Sequence, residues 1–190
     1  MRHAQAFRDH NKAEGLPFRG QSFGGITGTI AAAIASQACV FSARYPVAAT
    51  HRFLIQWLHL HYTTLVAYTV PLTAGRRLAL KRGSGGDASG ATAIDVVRNQ
   101  SDLTAETLLT GMVATTGAMT MTSVVFEDAV RARLMLVQAG NAGNDYDEIW
   151  TFDDPLILLP GQCIGILAGQ AFDAAGTWQL NVKGAGVEVP

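Results

Sequence analysis

The sequence is short of charge: Asp, Glu, Lys and Arg make up 15% of its 190 residues, against about 25% in an ordinary soluble domain. The formal net charge is -1. A chain without a basic excess lacks the electrostatic footprint of a nucleic-acid binder, so no nucleic acid is expected as a partner. Cysteine is scarce too, with only Cys39 and Cys163. Both lie in apolar, strand-like runs, where a thiol behaves as a small hydrophobe. Two buried free thiols are expected, and nothing requires the one disulfide they could form. No run reaches the ~18 apolar residues of a membrane-spanning helix. The first residues carry Arg2 and Arg8 but no apolar core of a signal peptide. No membrane partner is expected. Gly-x-Ser-x-Gly, Cys-x-x-Cys and His-Glu-x-x-His are all missing, so the chain offers no assembled catalytic set and implies no cofactor.

Present instead are apolar residues, at 48%, and 20 glycines. A chain of this length is most simply one domain, and it buries roughly 70% of its unfolded surface without needing a disulfide or a metal. Few charges and many small residues suit a protein whose surface is largely covered by neighbours.

The clearest pattern is in the C-terminal third, Asp147 to Lys183. Ile149 and Thr151 alternate with Trp150 and Phe152, and Asp153-Asp154-Pro155 breaks the run. Pro160-Gly161 is a turn pair, in which proline presets φ and glycine accepts a positive one. After Gly176, Trp178, Leu180 and Val182 share one face while Gln179, Asn181 and Lys183 share the other, the period of a half-solvated antiparallel strand.

Residues 1–25 show no apolar period. They carry Arg2, Arg8, Lys12 and Arg19 and end in glycines, which reads as an extended N-terminal arm before a domain over 26–190. Strands are expected near Thr29–Ala33 and Ala38–Arg44, because Thr27, Thr29, Ile30 and Ile34 outweigh the helix propensity of Ala31-Ala32-Ala33. Arg52 to Val70 is the longest apolar run. Alternation puts Phe53, Ile55, Trp57, His59 and His61 on one strand face and Leu54, Leu58, Leu60 and Tyr62 on the other. A sandwich buries one face of each strand, so the second needs another cover, and a subunit contact is the economical one.

Gly83 to Gly90 reads as a flexible loop, Ala93 to Val97 as a short strand, and Ser101 onward as a capped helical turn or two through Leu109. Met112 to Phe126 reads as two strands about Thr116-Gly117, Ala132 to Gln138 as another, and Gly140 to Asn144 as a turn. About ten short strands at this spacing argue an all-β sandwich or barrel.

Four constellations invite chemistry. His59-x-His61 has the spacing of a cupin-type metal pair, but after it no carboxylate comes before Asp87 and no histidine follows His61. Two imidazoles alone make a poor metal site, and interface or satisfied histidines are the plainer reading. Asn141 to Glu148 lacks the spacing of a calcium loop. Asp153 and Asp154, adjacent on a strand, point to opposite faces and suit turn capping better than acid–base work. The glycines after Lys81-Arg82 reverse the order of a phosphate loop. Arg76, Arg77, Lys81 and Arg82 form the basic cluster, read as a solvated strand end.

Thr63 to Leu80, the segments Arg82-Gly83-Ser84-Gly85 and Ala88-Ser89-Gly90-Ala91-Thr92-Ala93, Glu148 to Leu156, and Ala174 to Lys183 together resemble small virion proteins of tailed bacteriophages. The resemblance spans roughly Phe41 to Val187. It implies a jelly-roll-like antiparallel β-sandwich serving as a capsid decoration (cement) protein, usually a homotrimer, or as a head or tail accessory protein. The partners it implies are sister copies and the major capsid protein, and the place is the capsid surface of the virion. The arm residues Arg2, Arg8, Lys12 and Arg19, with Leu54, Trp57, Leu58, His59 and His61, are the expected contacts. Two other readings remain beside it. One is a receptor- or carbohydrate-binding module using Trp150, Trp178 and Tyr146, with Trp178 assigned by alternation to the core. The other is a cupin-like metalloenzyme around His59 and His61.

Overall fold

A computed structural model of the chain describes residues 19–68, 76–98, 107–136, 145–174 and 176–189. Every regular element among them is a strand: β1 (Arg19–Ile26), β2 (Cys39–Arg44), β3 (Arg52–Val66), β4 (Arg76–Ser89), β5 (Thr92–Ala93), β6 (Asp95–Arg98), β7 (Thr110–Val113), β8 (Thr120–Leu136), β9 (Asp145–Leu158), β10 (Gln162–Ala168) and β11 (Thr177–Val189). They pair, always antiparallel, into a five-stranded sheet in the order β6-β1-β11-β3-β9 and a six-stranded sheet in the order β5-β7-β2-β10-β4-β8. The expected all-β antiparallel sandwich is what forms.

The pairing is nested. β1 pairs with β11, β2 with β10, β3 with β9 and β4 with β8. β11 also pairs with β3, and β10 with β4. The first half of the chain therefore lies against the second half in reverse order. Between the sheets sits one apolar core, with Trp178, Tyr62, Phe41, Phe53 and Phe172 among its fully buried side chains. Trp178 stacks on Tyr62 with ring centroids 5.2 Å apart. Cys39 and Cys163 are buried free thiols, pushed by burial to about 12 and about 11.

Several local expectations need correcting. Residues 19–25, assigned to the arm, form β1, held on both sides by β11 and β6. Its glycines are there for close approach: a Cβ on Gly24 would sit 2.4 Å from the Val182 carbonyl oxygen. Residues 1–18, with Arg2, Arg8 and Lys12, lie outside the described residues, as do 99–106 and 137–144, where a capped helix and a turn were expected. Thr29–Ala33 is not a strand. Ile30 and Ile34 instead make single bridges to Trp178 and Phe172, and the alanines between them face solvent.

Gly83 to Ser89 is not a loop but the second half of β4. Its glycines make room for a ring. A Cβ on Gly83 would lie 2.8 Å from Phe126 Cδ1, and one on Gly165 would lie 2.6 Å from Phe126 Cε1. Phe126 thus packs into a furrow across β4 and β10, and side-chain packing rather than backbone freedom explains these two glycines. The single strand expected at Ala93 to Val97 is split. β5 joins the six-stranded sheet and β6 the five-stranded one, with half-turned Ile94 buried at the crossing. The basic cluster is not a solvated end either. Arg76 is fully buried, Lys81 is nearly so, and Arg82 pairs with Glu127 at 2.6 Å.

The expected turn at Pro160-Gly161 is present: Gly161 has φ 82° and Gln162 N–H donates to the Leu159 carbonyl at 2.9 Å.

Candidate functional site

The outer face of the five-stranded sheet is set by one residue. Gln56 has no partner in either ladder of β3: Ile55 and Trp57 are consecutive partners of Gly186 and Ala185 on β11. A bulge of this kind turns every following side chain to the opposite face. Phe53 and Ile55 before it are buried, and so are Leu58, Leu60 and Tyr62 after it. The strict alternation expected for this strand is therefore wrong. Trp57, His59 and His61 do share a face, but with Leu54, and Leu58 belongs to the core. Sequence parity cannot register an inserted residue, so the switch was invisible there.

Cross-strand register lays out the face in rows. Val97, Ser22, Ala185, Trp57 and Thr151 lie side by side across β6, β1, β11, β3 and β9. The next row is Asp95, Gly24, Lys183, His59 and Ile149, and then come Ile26, Asn181, His61 and Asp147. Three large apolar side chains stand well out of it, Ile26 at 59%, Val97 at 62% and Ile149 at 59% of full exposure. Trp57 is half-buried.

The histidines meet carboxylates that their own strand lacks. His59 Nε2 donates to Asp147 Oδ1 at 2.5 Å, and His61 Nε2 lies 3.8 Å from Asp145 Oδ1. Both acids come from β9, some ninety residues on, which is why a local search found none. Among the described residues no three His, Cys, Asp or Glu side chains are grouped to hold a metal ion. The pairs cross-brace β3 and β9 at the surface.

At the bulge β9 departs further. Thr151 partners Trp57 and Leu156 partners Ile55, so residues 152–155 arch out of the ladder opposite the single unpaired Gln56. Asp153-Asp154-Pro155, expected to break the run, forms this arch. Beside it opens a cleft of about 350 Å³, with Trp57 and Phe152 among its walls. A second hollow of about 520 Å³ lies on the other side of Trp57, over Ser22 to Ile26 and Lys183.

Of the three aromatics considered as sugar platforms, Trp150 and Trp178 are buried, and Tyr146 is half-buried against Tyr62 with centroids 6.2 Å apart. Trp57 and Phe152, by contrast, are half-buried and line the cleft. Arg19 opens β1.

No known family model matches this chain, and no curated protein is significantly similar to it.

Proposed function

We propose that the chain is a non-enzymatic structural protein of a tailed-phage particle, a homotrimeric cement protein that joins sister copies and the major capsid protein through the outer face of its five-stranded sheet. One observation carries the reading. No described residue covers that face, yet it presents Trp57, Ile26, Val97 and Ile149 in adjoining rows. Large apolar side chains standing exposed on a sheet face suit a surface that meets another protein. Between them in the rows stand Lys183 and His59, with Asn181 and His61 beside Ile26.

The winding supports the jelly-roll part of the reading. With the short β5, β6 and β7 set aside, the sheets run β1-β11-β3-β9 and β2-β10-β4-β8. That order follows when one long antiparallel hairpin is rolled into two facing sheets, the double Greek key of a jelly roll. Such a domain is rigid and chemically plain, as a clamp between shell subunits must be. Three copies on one axis multiply individually weak contacts, and closed symmetry stops growth into fibres.

The test is sedimentation of the full chain, followed by binding to shells stripped of it. A trimer at micromolar concentration that rebinds shells is expected, and Ile149→Asp is expected to weaken both without shifting the melting temperature. Removing residues 1–18 takes away Arg2, Arg8 and Lys12 but leaves β1 whole; a trimer that no longer binds shells is expected. A monomer that ignores shells overturns the reading.

A further inference from the structure

The cleft beside Trp57 is a built feature rather than a chance hollow. Register breaks in two neighbouring strands coincide under it: unpaired Gln56 in β3 and the four-residue arch of β9. Bulges re-aim side chains, and they concentrate at sites that bind. Here they place an indole and a phenyl ring, Trp57 and Phe152, around a space whose remaining lining includes Gln56, Thr151, Asp153 and Pro155. The volume, about 350 Å³, is at the small-ligand end of the range for binding pockets.

We propose that this cleft binds a neutral hexopyranose, the terminal or internal sugar of a glycan. A pyranose has an apolar face of C–H groups, which seats on an aromatic ring, and a girdle of hydroxyls that both donate and accept. The cleft has the ring and, around it, an amide, a hydroxyl and a carboxylate. The side chains of Gln56, Thr151 and Asp153 have no hydrogen-bond partner among the described residues. A purely apolar ligand would strip water from these groups and return nothing. An anionic ligand would meet Asp153 with no lysine or arginine in the lining. A cation would use Trp57 and Asp153 but leave the amide and hydroxyl idle. Trp57 and Ile149 line this cleft and also stand on the proposed contact face, so sugar and shell are expected to compete for it. Asp153 is no part of that face, so Asp153→Asn separates failure of the sugar site from failure of the structural role.

Trp57 reports on the site directly. The chain has three tryptophans, and the other two are buried. The full chain is titrated with glucose, galactose, mannose and N-acetylglucosamine, while the indole N–H resonances are followed by two-dimensional NMR. At least one sugar is expected to shift one indole saturably below about 100 mM, a weak affinity usual for a single small polar ligand. Trp57→Ala is expected to abolish the shift. Asp153→Asn, read on the intact indole, is expected to weaken binding about tenfold, as loss of a hydrogen bond to a charged group does. If Trp57→Ala does not fold, Phe152→Ala serves as the wall variant. A glycan array then separates a host-surface polysaccharide from a protein-linked glycan as the source. The proposal is overturned if no sugar gives a saturable shift, if the shift survives loss of the ring, or if arginine shifts the indole and the sugars do not.

Discussion

The guanidinium carbon of Arg76 lies 3.6 Å from the centroid of the Tyr68 ring. Arg76 is fully buried, and its Nη2 donates to Asp173 Oδ2 at 3.0 Å. Tyr68 in turn shares a hydrogen bond with Tyr62, whose ring stacks on Trp178. A cation is thus held by a ring face and a carboxylate at the margin of the aromatic core. Burial pushes the Tyr68 hydroxyl up to about 12, so the ring stays neutral at any pH the protein meets. Arg76→Ala leaves Asp173 without this partner and a hollow behind it. The expected loss is about 3 kcal/mol, read from urea unfolding. Arg76→Met fills the space without the charge and is expected to recover at least half.

The furrow around Phe126 gives a second expectation. Gly165→Ala places a methyl where the ring now lies, at 2.6 Å from its Cε1. Overpacking of this kind costs about 1–3 kcal/mol. Phe126→Leu in the same chain is expected to relieve much of that cost. A double-mutant cycle in urea checks it, and a purely additive result would mean that the ring has room to move.

Glu127 gives a pH dependence. Arg82 Nε donates to its Oε1 at 2.6 Å and Arg131 Nη2 to its Oε2 at 2.5 Å. These bonds, Arg82's foremost, hold the carboxyl below its ordinary 4.5. The native state then binds this proton less readily than the unfolded chain. The stability from the pairs is complete above pH 4.5 and is lost as pH falls through the lowered native value. Glu127→Gln is expected to lower the urea midpoint slightly at pH 7, by less than about 1 kcal/mol for so exposed a cluster. The gap between the two proteins is expected to narrow as pH falls below 4.5.

The thiols offer a simple probe of opening. Burial raises Cys39 to about 12 and Cys163 to about 11, so little of either is thiolate at pH 8. A thiol reagent is expected to label the native protein at least about 100-fold more slowly than the urea-unfolded chain. Rapid labelling of one cysteine in the native state would mean that the β2–β10 region opens locally.

Strand content was legible where period and punctuation agreed. Trp178, Leu180 and Val182 alternate without interruption and are buried as expected. Pro160-Gly161 marks its turn because both residues act through φ, which is local. What failed was whatever depended on distant chain. Gly83 looks like a loop residue until Phe126 is seen above it. His59 looks unpartnered until β9 brings Asp147 alongside. Gln56 carries no local mark that it is skipped by both ladders, and that single skip decides which half of β3 faces out. A contact face is inferred from a run apolar on both sides, and which residues share the outer face of the sheet follows the bulge.

The nested pairing bears on how the chain is made. β11 lies between β1 and β3 in the middle of the five-stranded sheet, although it comes after every other strand in the chain. A ribosome delivering this polypeptide would release β1 and β3 with the gap between them empty, and residues 177–189 must emerge before that gap is filled. The sheet is therefore expected to stay open to holdase chaperones until residues 177–189 emerge, then close late and slowly, as long-range strand pairing does.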